Sequence, residues 1–65
     1  MTVNDVICEV EKIEKLTGDP EAAHSLEDAL YRQVLIAIKR GHPAPSRLAE
    51  AALRTMEIDF ERWCA

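Results

Sequence analysis

Apolar residues recur along the chain at spacings of three and four positions, a pattern typical of α-helices that pack on one side. The first such stretch predicts a helix over about residues 5–17, with Asn4 as its N-cap and Asp5 in its first turn. Gly18 is expected to end this helix in the left-handed conformation. The apolar stripe of the helix consists of Val3, Val6, Ile7, Val10 and Ile13.

The second predicted helix has the clearest boundaries in the chain. It opens at Asp19-Pro20-Glu21, which supplies an N-cap, a proline at the first helical position and an acid in the first turn. It ends at Lys39-Arg40-Gly41, where two cations favour the negative end of the helix dipole and glycine terminates the helix. Its main apolar face contains Ala22, Ala23, Leu26, Ala29, Leu30, Val34 and Ala37. The first two helices are expected to form an antiparallel hairpin.

The third predicted helix follows a stiff connector over residues 41–45, in which two prolines restrict the backbone. Ser46 is its expected cap. After it, Asp59 is expected to cap a last helical turn that places Phe60 and Trp63 one turn apart. The apolar face assigned to this helix contains Leu48, Ala49, Ala52, Leu53 and Met56.

No repeat or linker-like segment divides the chain, so residues 1–65 are expected to form a single domain. The predicted fold class is all-α. The expected architecture is a three-helix bundle in which the helical hairpin packs with the third helix and a short C-terminal helical turn.

Residues 34–38 are five successive apolar residues and therefore cover the whole circumference of their helix. A chain of 65 residues also builds a thin core, which oligomerisation commonly supplements. We therefore predict a homodimer. A second line on the same helix mixes polar with apolar character, as interfaces often do, and is a candidate partner-binding surface: His24, Asp28, Tyr31, Leu35 and Ile38.

The aromatic pair at the C-terminal end allows two interpretations. Phe60 and Trp63 are candidate partner contacts, because buried aromatic anchors are common interface hot spots. In a chain with only three aromatic residues, such residues are more often buried in the core, and the sequence favours that second interpretation. The C-terminal segment would then fold back and cover the flank of the second helix within one chain.

The charge balance favours a protein partner. A net charge of −4 disfavours nonspecific attraction to nucleic acid and to anionic membranes. No apolar run approaches the roughly 20 residues that cross a bilayer, so no membrane association is expected. The sequence has two cysteines, Cys8 and Cys64, and no export leader, so we expect a reducing, cytoplasmic location.

A metal-binding alternative rests on Glu21-x-x-His24, the spacing by which di-metal bundles take two ligands from one helical face. A dimer would have to supply the remaining ligands. The simpler interpretation is that Glu21 favours the helix N-terminus and that His24 is a surface residue paired with Asp28. Cys-x-x-Cys pairs, glycine-rich phosphate loops and nucleophile elbows are missing from the sequence, so neither catalysis nor a cofactor is expected.

A second alternative is a small DNA-associated regulator that uses Arg40 and Arg47. Several cations gather near the end of the second helix and the connector: Arg32, Lys39, Arg40, His42 and Arg47. However, the turn of a helix-turn-helix motif is normally three or four residues long, and residues 41–46 are more than that. Nucleic acid is therefore not the expected partner.

The chain from the second helix onward resembles short uncharacterised proteins encoded in phage and prophage genomes. The resemblance is carried by residues 24–31 (HSLEDALY), 48–53 (LAEAAL) and 58–65 (IDFERWCA). Accessory proteins of that kind commonly act by binding a host protein and occupying its surface. The resemblance therefore implies a protein-binding accessory module, and it assigns no catalytic or binding residue.

Overall fold

Three α-helices and one 3₁₀ turn make up the part of the chain that the computed structural model describes, residues 1–62. Helix α1 is Val3–Lys15, α2 is Pro20–Lys39 and α3 is Pro45–Leu53, and the 3₁₀ turn is Arg54–Glu57. Each helix packs against the other two. The predicted all-α bundle of three helices is thus confirmed.

The hairpin of α1 and α2 is antiparallel. The Nε2 atom of His42, just beyond the end of α2, lies 2.8 Å from the carbonyl oxygen of Met1, which precedes α1. The start of α1 therefore lies beside the end of α2. Among the described residues, no helix is long and apolar enough to span a bilayer.

The start of α1 differs from the sequence prediction, because Thr2 and not Asn4 is the N-cap. The Thr2 hydroxyl accepts from the Asp5 amide at 3.1 Å, and an Asp5 carboxylate oxygen accepts from the Thr2 amide at 2.8 Å. This reciprocal pair satisfies two backbone donors that a helix start otherwise leaves open. The prediction of Asn4 as the cap rested on residue type alone. It did not consider which residue three positions later could return the hydrogen bond.

The end of α1 also differs. The helix ends at Lys15, and the Leu16 amide donates to the Ile13 carbonyl at 3.0 Å. The Asp19 amide then donates to the Leu16 carbonyl at 2.8 Å. Two such tight turns carry the chain into α2 without a left-handed residue, so the predicted left-handed conformation of Gly18 is wrong.

Both ends of α2 lie where the sequence analysis predicted them. The Asp19 carboxylate accepts from the Ala22 amide at 3.3 Å, and Pro20 is the first helical residue. Gly41 has a φ of 86°, in the left-handed region that L-residues with a side chain rarely adopt. The α2 boundaries could be read from sequence because each depends on residues next to one another in the chain.

The start of α3 was predicted two residues too late. Its N-cap is Ala44 and its first residue is Pro45, whose fixed φ and missing amide suit that position, so Ser46 already lies in the first turn. The predicted turn capped by Asp59 is also wrong for the residues that are described. The short helical turn lies earlier, at Arg54–Glu57; Ile58, which follows it, has extended backbone angles, and residues 59–62 form no helical turn.

The core draws on all three helices and on one residue of the C-terminal segment. Its buried apolar side chains are Val6, Val10, Ile13, Ala23, Leu30, Val34, Leu48, Ala51, Ala52 and Phe60. The predicted stripes of α1 and α2 therefore face inward. On the third helix the prediction held for Leu48 and Ala52, whereas Leu53 and Met56, assigned to the same face, are exposed.

Candidate interaction surface

The apolar run at residues 34–38 is only partly covered by the rest of the described chain. Val34 is buried, and Ala37 and Ile38 are partly buried against the core. Leu35, in contrast, is 66% exposed and Ile36 is 41% exposed. Helices α1 and α3 and the described C-terminal segment therefore leave apolar surface of α2 exposed to solvent.

An apolar groove lies between α2 and α3 beside Leu35. Its exposed surface carries no polar atoms, and its volume is about 250 Å³. Val34 and Ala52 lie deep in it and are buried, whereas Leu35 and Leu53 form its exposed rim. We call this the α2/α3 groove, and the residues that line it are Tyr31, Val34, Leu35, Ile38, Ala49, Ala52 and Leu53.

Two of the three most exposed large apolar side chains of the described residues line this groove. Leu35 and Leu53 line it, and Met56, which is 62% exposed, follows Leu53 by three residues. Single exposed leucines are ordinary on protein surfaces, but apolar side chains grouped around a concave apolar surface mark sites of contact.

Tyr31 is held in place at one side of the groove. Its hydroxyl shares a hydrogen bond with the hydroxyl of Thr55, a residue that is fully buried. The phenol group therefore has its polar atom satisfied inside the protein while the ring contributes to the groove lining. This pairing holds the ring in place at the side of the groove.

The polar end of the predicted partner-binding line lies beyond the groove. His24 Nε2 is 3.5 Å from Asp28 Oδ1, and the Asp28 side chain is 58% exposed. The structure thus brings Tyr31, Leu35 and Ile38 together with α3 as groove-lining residues, while His24 and Asp28 continue along α2. Phe60 is buried in the core, and Trp63 lies outside the described residues.

The other candidate chemistry is dispersed over the described surface. No group of three or more His, Cys, Asp or Glu side chains in residues 1–62 is placed to hold a metal ion, and Glu21 is exposed. Cys8 is an exposed free thiol, and Cys64 lies outside the described residues. Of the clustered cations, Arg32, Lys39, Arg40 and Arg47 are exposed.

His42 has a structural partner at each ring nitrogen. Its Nδ1 accepts from the Ala44 amide at 3.0 Å, and its Nε2 faces the Met1 carbonyl. Because Nδ1 accepts, the ring proton belongs on Nε2, which then donates to the carbonyl. His42 therefore ties the connector before α3 to the start of the chain.

A buried ion pair that the sequence analysis missed anchors the C-terminal segment. Glu27 is 3% exposed, and Arg62 donates to it from Nε to Oε1 at 3.0 Å and from Nη2 to Oε2 at 3.1 Å. Nη2 also donates to the carbonyls of Thr55 at 2.6 Å and Ile58 at 3.0 Å. The guanidinium carbon lies 3.9 Å from the centre of the Phe60 ring. The hydrogen bond to Glu27 raises the pKa of Arg62.

One sequence signal could have revealed this pair. Glu27 falls between Ala23 and Leu30 on the buried face of α2, and a carboxylate at an apolar helical position requires a cationic partner. The pair also settles where the described C-terminal segment lies. It packs over Glu27, and none of the described residues after Leu53, up to residue 62, lines the α2/α3 groove.

Comparison with protein-family models gives no match, and searches among curated proteins and among solved structures give none either. The resemblance to phage-encoded proteins therefore stays a prediction.

Proposed function

We propose that this chain is a small helical protein-binding module that acts by occupying the surface of another protein through its α2/α3 groove. The observation that carries the proposal is the uncovered groove itself, with Leu35 and Leu53 exposed on its rim. The resemblance to phage-encoded accessory proteins makes a host protein the expected target.

The two rim leucines, Leu35 and Leu53, expose apolar surface that a partner would bury. Fully burying a leucine side chain contributes roughly 1.5–3 kcal/mol. With Leu35 66% exposed and Leu53 57% exposed, a partner that covers both gains about 2–4 kcal/mol from these side chains alone. Such a contribution makes them the expected hot spots of a contact.

The surroundings of the groove also suit a protein contact. Interfaces combine an apolar centre with a polar rim. Here the lining is apolar, and the exposed side chains of Asp28 and Lys39 lie on α2 before and after it. The metal-binding bundle and the DNA-associated regulator stay predictions, and the groove favours neither of them.

Affinity capture with matched variants tests the proposal. The bait is the full chain, compared with Leu35→Asp and with Ile36→Asp, which places the same charge on the neighbouring residue of α2 outside the groove lining. Both residues are exposed, so circular dichroism should show that both variants keep the helical fold.

The expected result is a protein that the wild-type chain and Ile36→Asp both retain from a bacterial lysate and that Leu35→Asp loses. Titration of the purified captured protein against the three chains then measures the loss of affinity directly. Retention of the same proteins by Leu35→Asp as by the wild-type chain would contradict the proposal.

A further inference from the structure

We infer that the α2/α3 groove also takes a second copy of this chain, in a two-fold symmetric dimer whose α2 helices lie antiparallel. The inference rests on the proposed function in that both assign contact to the same groove. It adds the identity of one occupant and the orientation in which that occupant binds.

The shape of the groove surface suits contact with a second copy of itself. A two-fold interface uses one patch twice, so the patch must carry both the side chains that project and the space that receives them. Leu35 and Leu53 project at the rim, while the small side chains of Ala49 and Ala52 line the groove between them. One patch therefore contains both halves of a self-complementary contact.

The order of charges along α2 favours an antiparallel pair of helices. Asp28 and Lys39 are 11 residues apart, which is close to three full turns, so both lie on the same side of the helix. An antiparallel pair with its axis between Tyr31 and Leu35 brings Asp28 of each copy toward Lys39 of the other. A parallel pair would place Asp28 against Asp28 and Lys39 against Lys39, which favours the antiparallel orientation. Arg32, exposed on the same side near the axis, would face its own copy in either orientation and does not distinguish between them.

Helix α2 is long enough to carry an interface along most of the molecule. A standard interface takes about 800 Å² from each partner, roughly a sixth of the 4716 Å² that this chain exposes. At 1.5 Å per residue the 20 residues of α2 are about 30 Å long, nearly the 34 Å length of the molecule. A face built on α2 therefore runs along most of the long axis.

Analytical ultracentrifugation over micromolar to near-millimolar concentrations tests the dimer. The wild-type chain should pass from its monomer mass of 7.3 kDa to twice that mass. Leu35→Asp should raise the dimer dissociation constant roughly a hundredfold or more, because each substitution acts twice across the two-fold axis. Leu53→Asp should act in the same direction, and Ile36→Asp should leave the constant within about threefold.

A charge exchange tests the orientation. Asp28→Lys alone and Lys39→Asp alone should each weaken the dimer by roughly threefold to tenfold, the range of exposed ion pairs that occur twice. The double variant restores opposite charges across the axis and should return toward the wild-type constant. Losses that simply add in the double variant would overturn the antiparallel arrangement.

The outcomes separate this inference from the proposed function. A wild-type chain that stays monomeric over the whole range overturns the dimer, and a foreign protein captured only by chains with Leu35 then identifies the occupant as a different protein. A dimer that Leu35→Asp leaves intact also overturns the inference. A dimer lost in Leu35→Asp, together with capture that does not depend on Leu35, supports the dimer and contradicts the proposed function.

Discussion

Replacing Arg62 by alanine should strongly destabilise the fold, although the Arg62 side chain is partly in solvent. Arg62 is the cationic partner of the buried Glu27, and it also satisfies carbonyl oxygens of Thr55 and Ile58. Its loss leaves a carboxylate in the core without a partner and frees the segment that carries Phe60, a core residue.

The size of the effect follows from the burial of the two partners. Removing one member of a buried ion pair costs about 3–5 kcal/mol. The Arg62 side chain is 27% exposed and Glu27 only 4%, so water reaches the guanidinium side alone and we expect about 3 kcal/mol. At about 0.05–0.15 kcal/mol per residue, a chain of 65 residues has a total stability of about 3–10 kcal/mol. The variant should therefore lose a large part of it.

Two further variants separate the charge from its geometry. Arg62→Lys keeps a cation but loses the planar fork that bonds both Glu27 oxygens, so it should cost about 1–2 kcal/mol. Glu27→Met keeps most of the volume and leaves Arg62 able to turn toward water, so it should cost less than Arg62→Ala.

The assay is urea denaturation followed by far-ultraviolet circular dichroism at one fixed protein concentration, because a dimer would make stability depend on concentration. Arg47→Ala is the matched control: Arg47 is an exposed arginine on α3, and its loss should change stability by less than about 0.5 kcal/mol. An Arg62→Ala midpoint and slope equal to those of the control would refute the assignment of the ion pair as the anchor of the C-terminal segment.

Three smaller effects should be measurable by circular dichroism, two of them by urea denaturation and one by thermal unfolding at several pH values. Thr2→Ala should cost about 1 kcal/mol because it removes the α1 cap, whereas Asn4→Ala should be close to neutral; equal losses would contradict the capping box. Hydrogen bonds from the backbone and side chain of Thr2 hold the pKa of Asp5 below its ordinary value of 3.8, so its contribution is complete above that value and is lost as pH falls through the lower folded pKa. Melting temperature should accordingly fall more steeply below about pH 4 in the wild-type chain than in Asp5→Asn. Gly41→Ala should cost about 1 kcal/mol because of its left-handed backbone, while Gly18→Ala should be neutral or stabilise by up to about 1 kcal/mol, and a reversed order would refute the backbone assignments.

Half of the candidate surface could be predicted from sequence. Tyr31, Leu35 and Ile38 were placed on one side of α2 by helical spacing, and the structure finds all three in the groove lining. The α3 half could not be predicted in this way. Leu53 follows Ala49 by four residues and was assigned to the same apolar face as Leu48, and periodicity alone does not show that the core ends before it reaches Leu53.

The Glu27–Arg62 pair is a second feature that helical periodicity could not predict. The two residues are 35 positions apart, and no local pattern connects them. Their pairing depends on the C-terminal segment crossing the buried face of α2, which is a property of the assembled bundle.

The sequence by itself determined the helical class, the stripes of α1 and α2 that face the core, and the boundaries of α2. Each of these depends on residues within a few positions of one another, where backbone geometry and hydrogen bonding are local. Only the tertiary structure decided which apolar side chains stay exposed and which carboxylate is buried. Both outcomes depend on how the helices cross and where the chain runs after α3, and these are set by contacts between distant residues.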